Sequence, residues 1–238
     1  IIKNGPAERR RFIDLELSQL DKVYLNDLGN YNRIINQRNK LLKDISFNSG
    51  LKDTLDIWDI QLIEYGEKVI QARKKFVSDI NEIISEIHKK LTGNQEQIEV
   101  IYEPNTGGQS LGDVIQRNRE RDLRMMSTTS GPHRDDICFQ VDGIDIRKFG
   151  SQGQQRTAAL SLKLSEIELV KMLTKDKPVL LLDDVLSELD KHRQNYLLDS
   201  IDDIQTLITC TGVDEFVNHR FSINKIFYVH EGQVRNEN

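Results

Sequence analysis

The stretch Pro178-Val179-Leu180-Leu181-Leu182-Asp183-Asp184 decides the fold class. Its wholly apolar run Val179–Leu182 reads as a strand covered on both faces. A strand ending in two carboxylates sets them at the carboxyl edge of a sheet, where open α/β folds bind their ligands. There Asp183 can hold Mg²⁺, directly or through water, and Asp184 can polarise a water for attack on a γ-phosphate. A strand that merely leads into an acidic turn has the same local pattern, so this segment alone leaves both readings open.

Upstream stands Phe149-Gly150-Ser151-Gln152-Gly153-Gln154-Gln155-Arg156, followed by a helical pattern over Gly153–Thr174. Glycine and serine before a long helix offer free amide N–H groups, a hydroxyl and the positive end of the helix dipole, which together suit an anion. An ordinary Gly/Ser cap would look alike in isolation. Around these segments strands and helices alternate. Gln97–Tyr102, Asp136–Val141, Ile144–Ile146, Gln205–Cys210 and Lys225–Val229 read as strands, and Leu111–Met126 and Lys191–Ile201 as helices. The alternation implies a layered α/β sheet.

Residues 1–95 have a different texture. Tyr24, Leu28, Tyr31, Ile35, Arg38, Leu42 and Ile45 follow a heptad seam with one polar interruption at Arg38. Ser46–Gly50 reads as a turn. A second seam runs Leu55, Trp58, Leu62, Tyr65, Val69, Ala72, Phe76, slips once, and resumes with Ile80, Ile83, Ile87 and Leu91. Two seams joined by a short turn predict an antiparallel helical hairpin over about residues 7–92, with Gly93 as its C-cap. The division expected is a helical arm domain over 1–126, its hairpin followed by a strand and an Arg-rich helix, and a second domain over 127–238.

Of the 238 residues, 37% are hydrophobic and 30% charged, so a packed core forms while much of the chain stays solvated. The net charge of −5 excludes a protein basic all over but not a local basic patch. Cys138 and Cys210 make no zinc spacing and read as buried small apolar residues in a reducing cytoplasm. No apolar run approaches a membrane span.

Ser187-Glu188-Leu189-Asp190, after the Asp pair, has the spacing of the D-loop of ABC-type ATPases. Ser151-Gln152-Gly153-Gln154 resembles the ABC signature in the form used by SMC-like DNA repair ATPases. Gly131-Pro132-His133-Arg134-Asp135-Asp136, Leu182–Asp190 and the early Glu8-Arg9-Arg10-Arg11-Phe12-Ile13-Asp14 are similar to the bacterial RecF family, over essentially the whole chain. The fold this implies is an α/β ABC-type ATPase head lobe, incomplete and without its P-loop, carrying an inserted antiparallel helical hairpin arm. The function it implies is a cytoplasmic recombination mediator in DNA replication and repair. Such a protein binds ATP with Mg²⁺ and double-stranded DNA, forms an ATP-dependent homodimer, and acts with RecR and RecO to load RecA at gaps. By the same resemblance Asp183 is the Walker B magnesium carboxylate and Asp184 the catalytic acid. Ser151, Gln152, Gly153 and Gln154 form the signature that meets a partner's nucleotide, and Asp190 is the D-loop aspartate.

Two departures stand out. No Gly-x-x-x-x-Gly-Lys-Ser/Thr occurs, nor any Gly-Lys pair, so the loop that cradles the β- and γ-phosphates is absent. The chain is therefore expected to be a carboxyl-terminal portion of such a protein, inactive as an ATPase alone. Cys210 and Thr211 stand where most ABC ATPases carry a switch histidine. Arg117, Arg121 and Arg124, spaced i, i+4, i+7, either meet phosphates of DNA or form a solvated face paired to Glu120 and Asp122. His133 and Arg134 could approach nucleotide or DNA, or belong to a rigid turn held by side-chain bonds. Alternatives are another SMC-like ATPase, disfavoured by the short arm, and a non-enzymatic scaffold that binds a partner such as RecR.

Overall fold

Asp21 breaks what the sequence reads as one helical run. Its carboxylate accepts from the Val23 and Tyr24 N–H groups and so caps a new helix, ending α1 (Pro6–Leu20) and starting α2 (Lys22–Phe47). The computed structural model describes residues 1–186, 189–210 and 225–236. α2 runs through Ser46 and Phe47, past the expected turn. The reversal is made instead by Asn48 and a 3₁₀ segment, Ser49–Thr54, before α3 (Leu55–Leu91). Gly93 follows with φ +62°, as a helix-ending glycine requires.

α2 and α3 pair antiparallel. Leu42 and Ile45 share a buried cluster with Leu55, Arg38 bonds Asp59, Tyr31 lies against Gly66, and Arg73 bonds Tyr24. Each step back along α2 is a step forward along α3. A side chain at Gly66 would collide with Leu111 and Tyr31, so the glycine sets the close approach of the helices. The seams give the core: Tyr24, Tyr31, Leu42, Leu55, Leu62, Val69, Phe76 and Ile80 are buried, while Trp58 and Tyr65 pack half-buried against it.

β1 (Ile98–Glu103), β2 (Asp136–Val141) and β3 (Ile144–Asp145) make an antiparallel sheet in that order. α4 (Leu111–Met125) lies between β1 and β2 in sequence and packs on α3 and α2. α5 (Gln152–Thr174) runs along α3. These elements form one compact unit, Ile1–Asp176, and Lys177–Asn238 forms another. The division differs from the expected boundary at 126/127. Residues 127–176 join the arm through β1–β2 pairing and the α3–α5 contact.

In the second unit β4 (Leu180–Asp183) pairs in parallel with β5 (Thr206–Thr209), and α6 (Lys191–Ser200) stands between them in sequence. β4 is not covered on both faces: Leu181 is 71% exposed, with Val179 and Leu207 also exposed. Only β5 adjoins β4 among the described residues. β6 (Phe227–His230) and β7 (Gln233–Asn236) form a hairpin, β7 having no counterpart in the sequence reading. Cys138 is buried as expected, but Cys210 is exposed just past the end of β5.

Candidate functional site

The amino end of α5 is built by a reciprocal cap. Ser151 Oγ accepts from the Gln154 N–H at 3.1 Å, and Gln154 Oε1 accepts from the Ser151 N–H at 3.0 Å. The N–H groups of Gln152 and Gly153 fall at helix positions without an intrahelical acceptor. Ser151, Gln152 and Gly153 are exposed. The two glycines of the stretch differ. A Cβ on Gly150 would sit 2.6 Å from the Ile146 side chain, so packing alone demands that glycine. A Cβ on Gly153 would meet nothing nearer than Ser151 Oγ at 3.8 Å. Packing does not explain Gly153, and the space over it admits an anion close to backbone amides. Gln154, read as a nucleotide contact, has its carboxamide oxygen engaged in the cap.

Asp183 and Asp184 stand at the carboxyl end of β4. Thr209 Oγ1 donates to Asp183 Oδ1 at 2.6 Å, leaving Oδ2 for another ligand. Asp184 takes a positive φ of 50° and donates its N–H to Thr209 O and Oγ1 at 3.2 and 3.1 Å. Both carboxylates are exposed. No cluster of three or more metal-ligating side chains occurs among the described residues.

Asp190 caps α6: Oδ1 accepts from the Arg193 N–H at 3.0 Å and Oδ2 pairs with Arg193 Nη1 at 2.7 Å. The Arg193 N–H, with the Arg193 charge beside it, holds this carboxyl below its usual range. Ser187 and Glu188 of the expected D-loop, and Thr211, lie outside the described residues.

Arg117, Arg121 and Arg124 share the exposed side of α4. The acids expected to neutralise them are engaged elsewhere. Asp122 is fully buried, accepting from Arg38 at 2.7 Å and from Thr129, and Glu120 pairs with Lys52 at 3.1 Å. Arg119 turns to Asp56 and Asp59 on α3.

The Gly131–Asp136 turn is held by side chains. Gly131 has φ +131°, and a Cβ there would meet Tyr31 Oη at 2.5 Å. His133 Nε2 donates to Thr128 O at 3.1 Å, and Nδ1 accepts from Tyr31 Oη at 2.7 Å. Burial lowers the His133 pKa to about 4, so the ring is neutral. Buried Arg73 on α3 joins Asp14, Asp135 and Pro132 O. Nothing in the motifs singles out Arg73. Its signal was an arginine on a helix of otherwise apolar inward positions, as at Arg38.

No family model matches the chain. RecF of Lachnospira eligens is 60% identical over 240 residues, taking in 100% of this chain and 66% of that protein. RecF of Agathobacter rectalis is 61% identical over 234 residues, 98% of this chain and 65% of its own length. The chain is a RecF homologue. It spans about 65% of the length of these RecF proteins. A solved RecF–ATP structure, described as the recombination mediator of the RecFOR pathway, overlays 100% of the chain and 65% of its own at TM-score 0.89 with 36% identity. An Smc head domain from Pyrococcus furiosus matches at TM-score 0.51 and 15% identity, a likeness of fold alone. The RecF fold thus mixes helices and strands in a head-like arrangement shared with Smc. Among the described residues no helix is long and apolar enough to cross a membrane.

Proposed function

We propose that this chain supplies the signature, the Walker B carboxylates and the hairpin arm of a cytoplasmic RecF recombination mediator with an ABC-type head. The observation that carries the reading is the TM-score of 0.89, over the whole chain, to a RecF solved with ATP. In this reading ATP and Mg²⁺ belong to the protein's cycle, and double-stranded DNA, RecR and RecO are its partners. Mg²⁺, when bound, would neutralise charge on the phosphates. Asp183 would hold it through the carboxylate oxygen that Thr209 leaves open. Asp184 would accept a proton from the attacking water, which breaks the γ-phosphate from ADP.

Ser151 and the Gln152 and Gly153 amides would receive the γ-phosphate of ATP held by a second copy, in the space left over Gly153. Gln154 would shape that turn, and Asp190 would fix the start of α6 beside the dimer seam. Arg117, Arg121 and Arg124 would meet DNA phosphates. The absence of a Gly-Lys phosphate loop from the 238 residues supports a scaffold role for the chain on its own, without ATP turnover.

The test uses a RecF-length protein carrying this sequence together with a phosphate-binding loop. Asp184→Asn should bind ATP and dimerise but not hydrolyse, because an amide cannot take the proton. Mixed with a Ser151→Arg protein, it should regain some hydrolysis. One site of the mixed dimer then combines an intact acid with an intact signature. Mixed dimers that form and remain inactive would rule out a signature acting across the dimer.

A further inference from the structure

The amino turn of α5 is tied to the far end of α3 by a chain of side chains that the cap itself does not need. Gln154 Oε1 closes the cap on the Ser151 N–H, so its amide nitrogen points the other way. That nitrogen donates to Glu96 Oε1 at 3.1 Å. The second oxygen, Oε2, lies 3.4 Å from Nε2 of His88, a fully buried residue in the last turn of α3. The other ring nitrogen, Nδ1, lies 2.8 Å from Ser161 Oγ on α5. Ser161 gives its own hydroxyl hydrogen to Thr157 O at 2.8 Å, so the imidazole Nδ1–H donates and Ser161 Oγ accepts. With its Nδ1–H committed to Ser161, His88 pairs with Glu96 through Nε2 as the imidazolium, and in that form one histidine of α3 grips α5 at Ser161 directly and reaches Ser151–Gln154 through Glu96.

A carboxamide presents an acceptor on one side and donors on the other. Its flip is decided by its partners. Glu96 can only accept when ionised, so it draws the Gln154 nitrogen towards itself and leaves the oxygen for the Ser151 N–H. We propose that Glu96 is a positioning residue that sets the Gln154 carboxamide and thereby couples the Ser151–Gln154 turn to His88 and the arm helix α3. Its consequence for nucleotide-dependent dimerisation rests on the signature reading of Ser151–Gln154; the positioning itself does not.

The experiment compares Glu96→Gln, Glu96→Ala and Glu96→Lys in this chain by residue-resolved amide hydrogen exchange. The Glu96 side chain is 24% exposed, which leaves room for each substitution. A lysine can only donate, so it draws the Gln154 oxygen away from the cap and should be worse than alanine. A glutamine still offers an acceptor and should rescue. Exchange at the Ser151 and Gln154 amides should rise about fivefold with alanine, the size of a lost helix cap, and further with lysine. Glutamine should restore it, and the amides of Ile80–Leu91 should not change. Unchanged exchange at Ser151 and Gln154, or a uniform rise through α3 and α5, would overturn the proposal. In a RecF-length protein, Glu96→Lys should weaken ATP-dependent dimerisation, again rescued by glutamine, with ATP affinity kept. Faster exchange at Ser151 with dimerisation intact would uphold the positioning role and count instead against the signature reading.

Discussion

Glu166, on the buried side of α5, carries a side chain only 9% exposed, with Lys163 at 2.8 Å and Glu16 nearby. Burial, with a smaller push from Glu16 and against the pull of Lys163, raises its pKa from 4.5 to about 7. Between those values the folded chain keeps a proton that the unfolded chain has released, so stability falls as pH rises through the window and levels off above it. Glu166→Gln, which has no proton to lose, should match the parent below pH 4.5 and exceed it above pH 7 by about 3 kcal/mol. Denaturant melts at both ends of the range check this; a constant difference across pH would refute it. Residue by residue, legibility varied with reach. Arg38 showed itself as a break in an apolar seam. Its partners Asp59 and Asp122 did not, because their pairing depends on how three helices cross. Asp122 even read as part of a solvated face. Gly153 was legible as a cap and Asp183–Asp184 as a strand end. The engagement of Gln154 with Glu96 was not, since it joins a loop to a helix start 58 positions apart.

Among the elements, the hairpin was the most legible because periodicity survives without tertiary knowledge. Its seams place Leu62 at zero exposure between α2 and α3. Leu62→Ala should therefore cost about 2–5 kcal/mol in equilibrium unfolding. A loss under 1 kcal/mol would mean that the seam is not the packing surface. The break at Asp21 escaped notice because a single capping carboxylate outweighs an unbroken run of helix formers. β4 departs from expectation for a different reason: an apolar run reports what the strand is suited to, not which neighbours it has. The face of α4 follows from its acids being engaged elsewhere. Replacing Arg117, Arg121 and Arg124 together should weaken duplex binding by a RecF-length protein and lower its salt slope by up to about three. An unchanged slope would make these arginines a solvated face.

At the scale of the whole molecule, the chain is two compact units, one holding the Ser151–Gln154 turn and the other the Asp183–Asp184 pair. If, as proposed, the ATP site takes its turn from one copy and its carboxylates from another, nucleotide binding and dimerisation are separable. The family was readable from short motifs because their order along the chain is far more specific than any one of them. That the signature meets a partner's nucleotide came from the family resemblance, not from the motifs' own chemistry, and it belongs to the proposed function. Ser151→Arg in a RecF-length protein separates the two events. The arginine fills the space over Gly153. Sedimentation velocity with and without ATP, alongside a nucleotide-binding titration, should find ATP affinity kept within about twofold and the ATP-dependent dimer lost. A dimer that forms with ATP as readily as in the unsubstituted protein would contradict a signature that works across the interface.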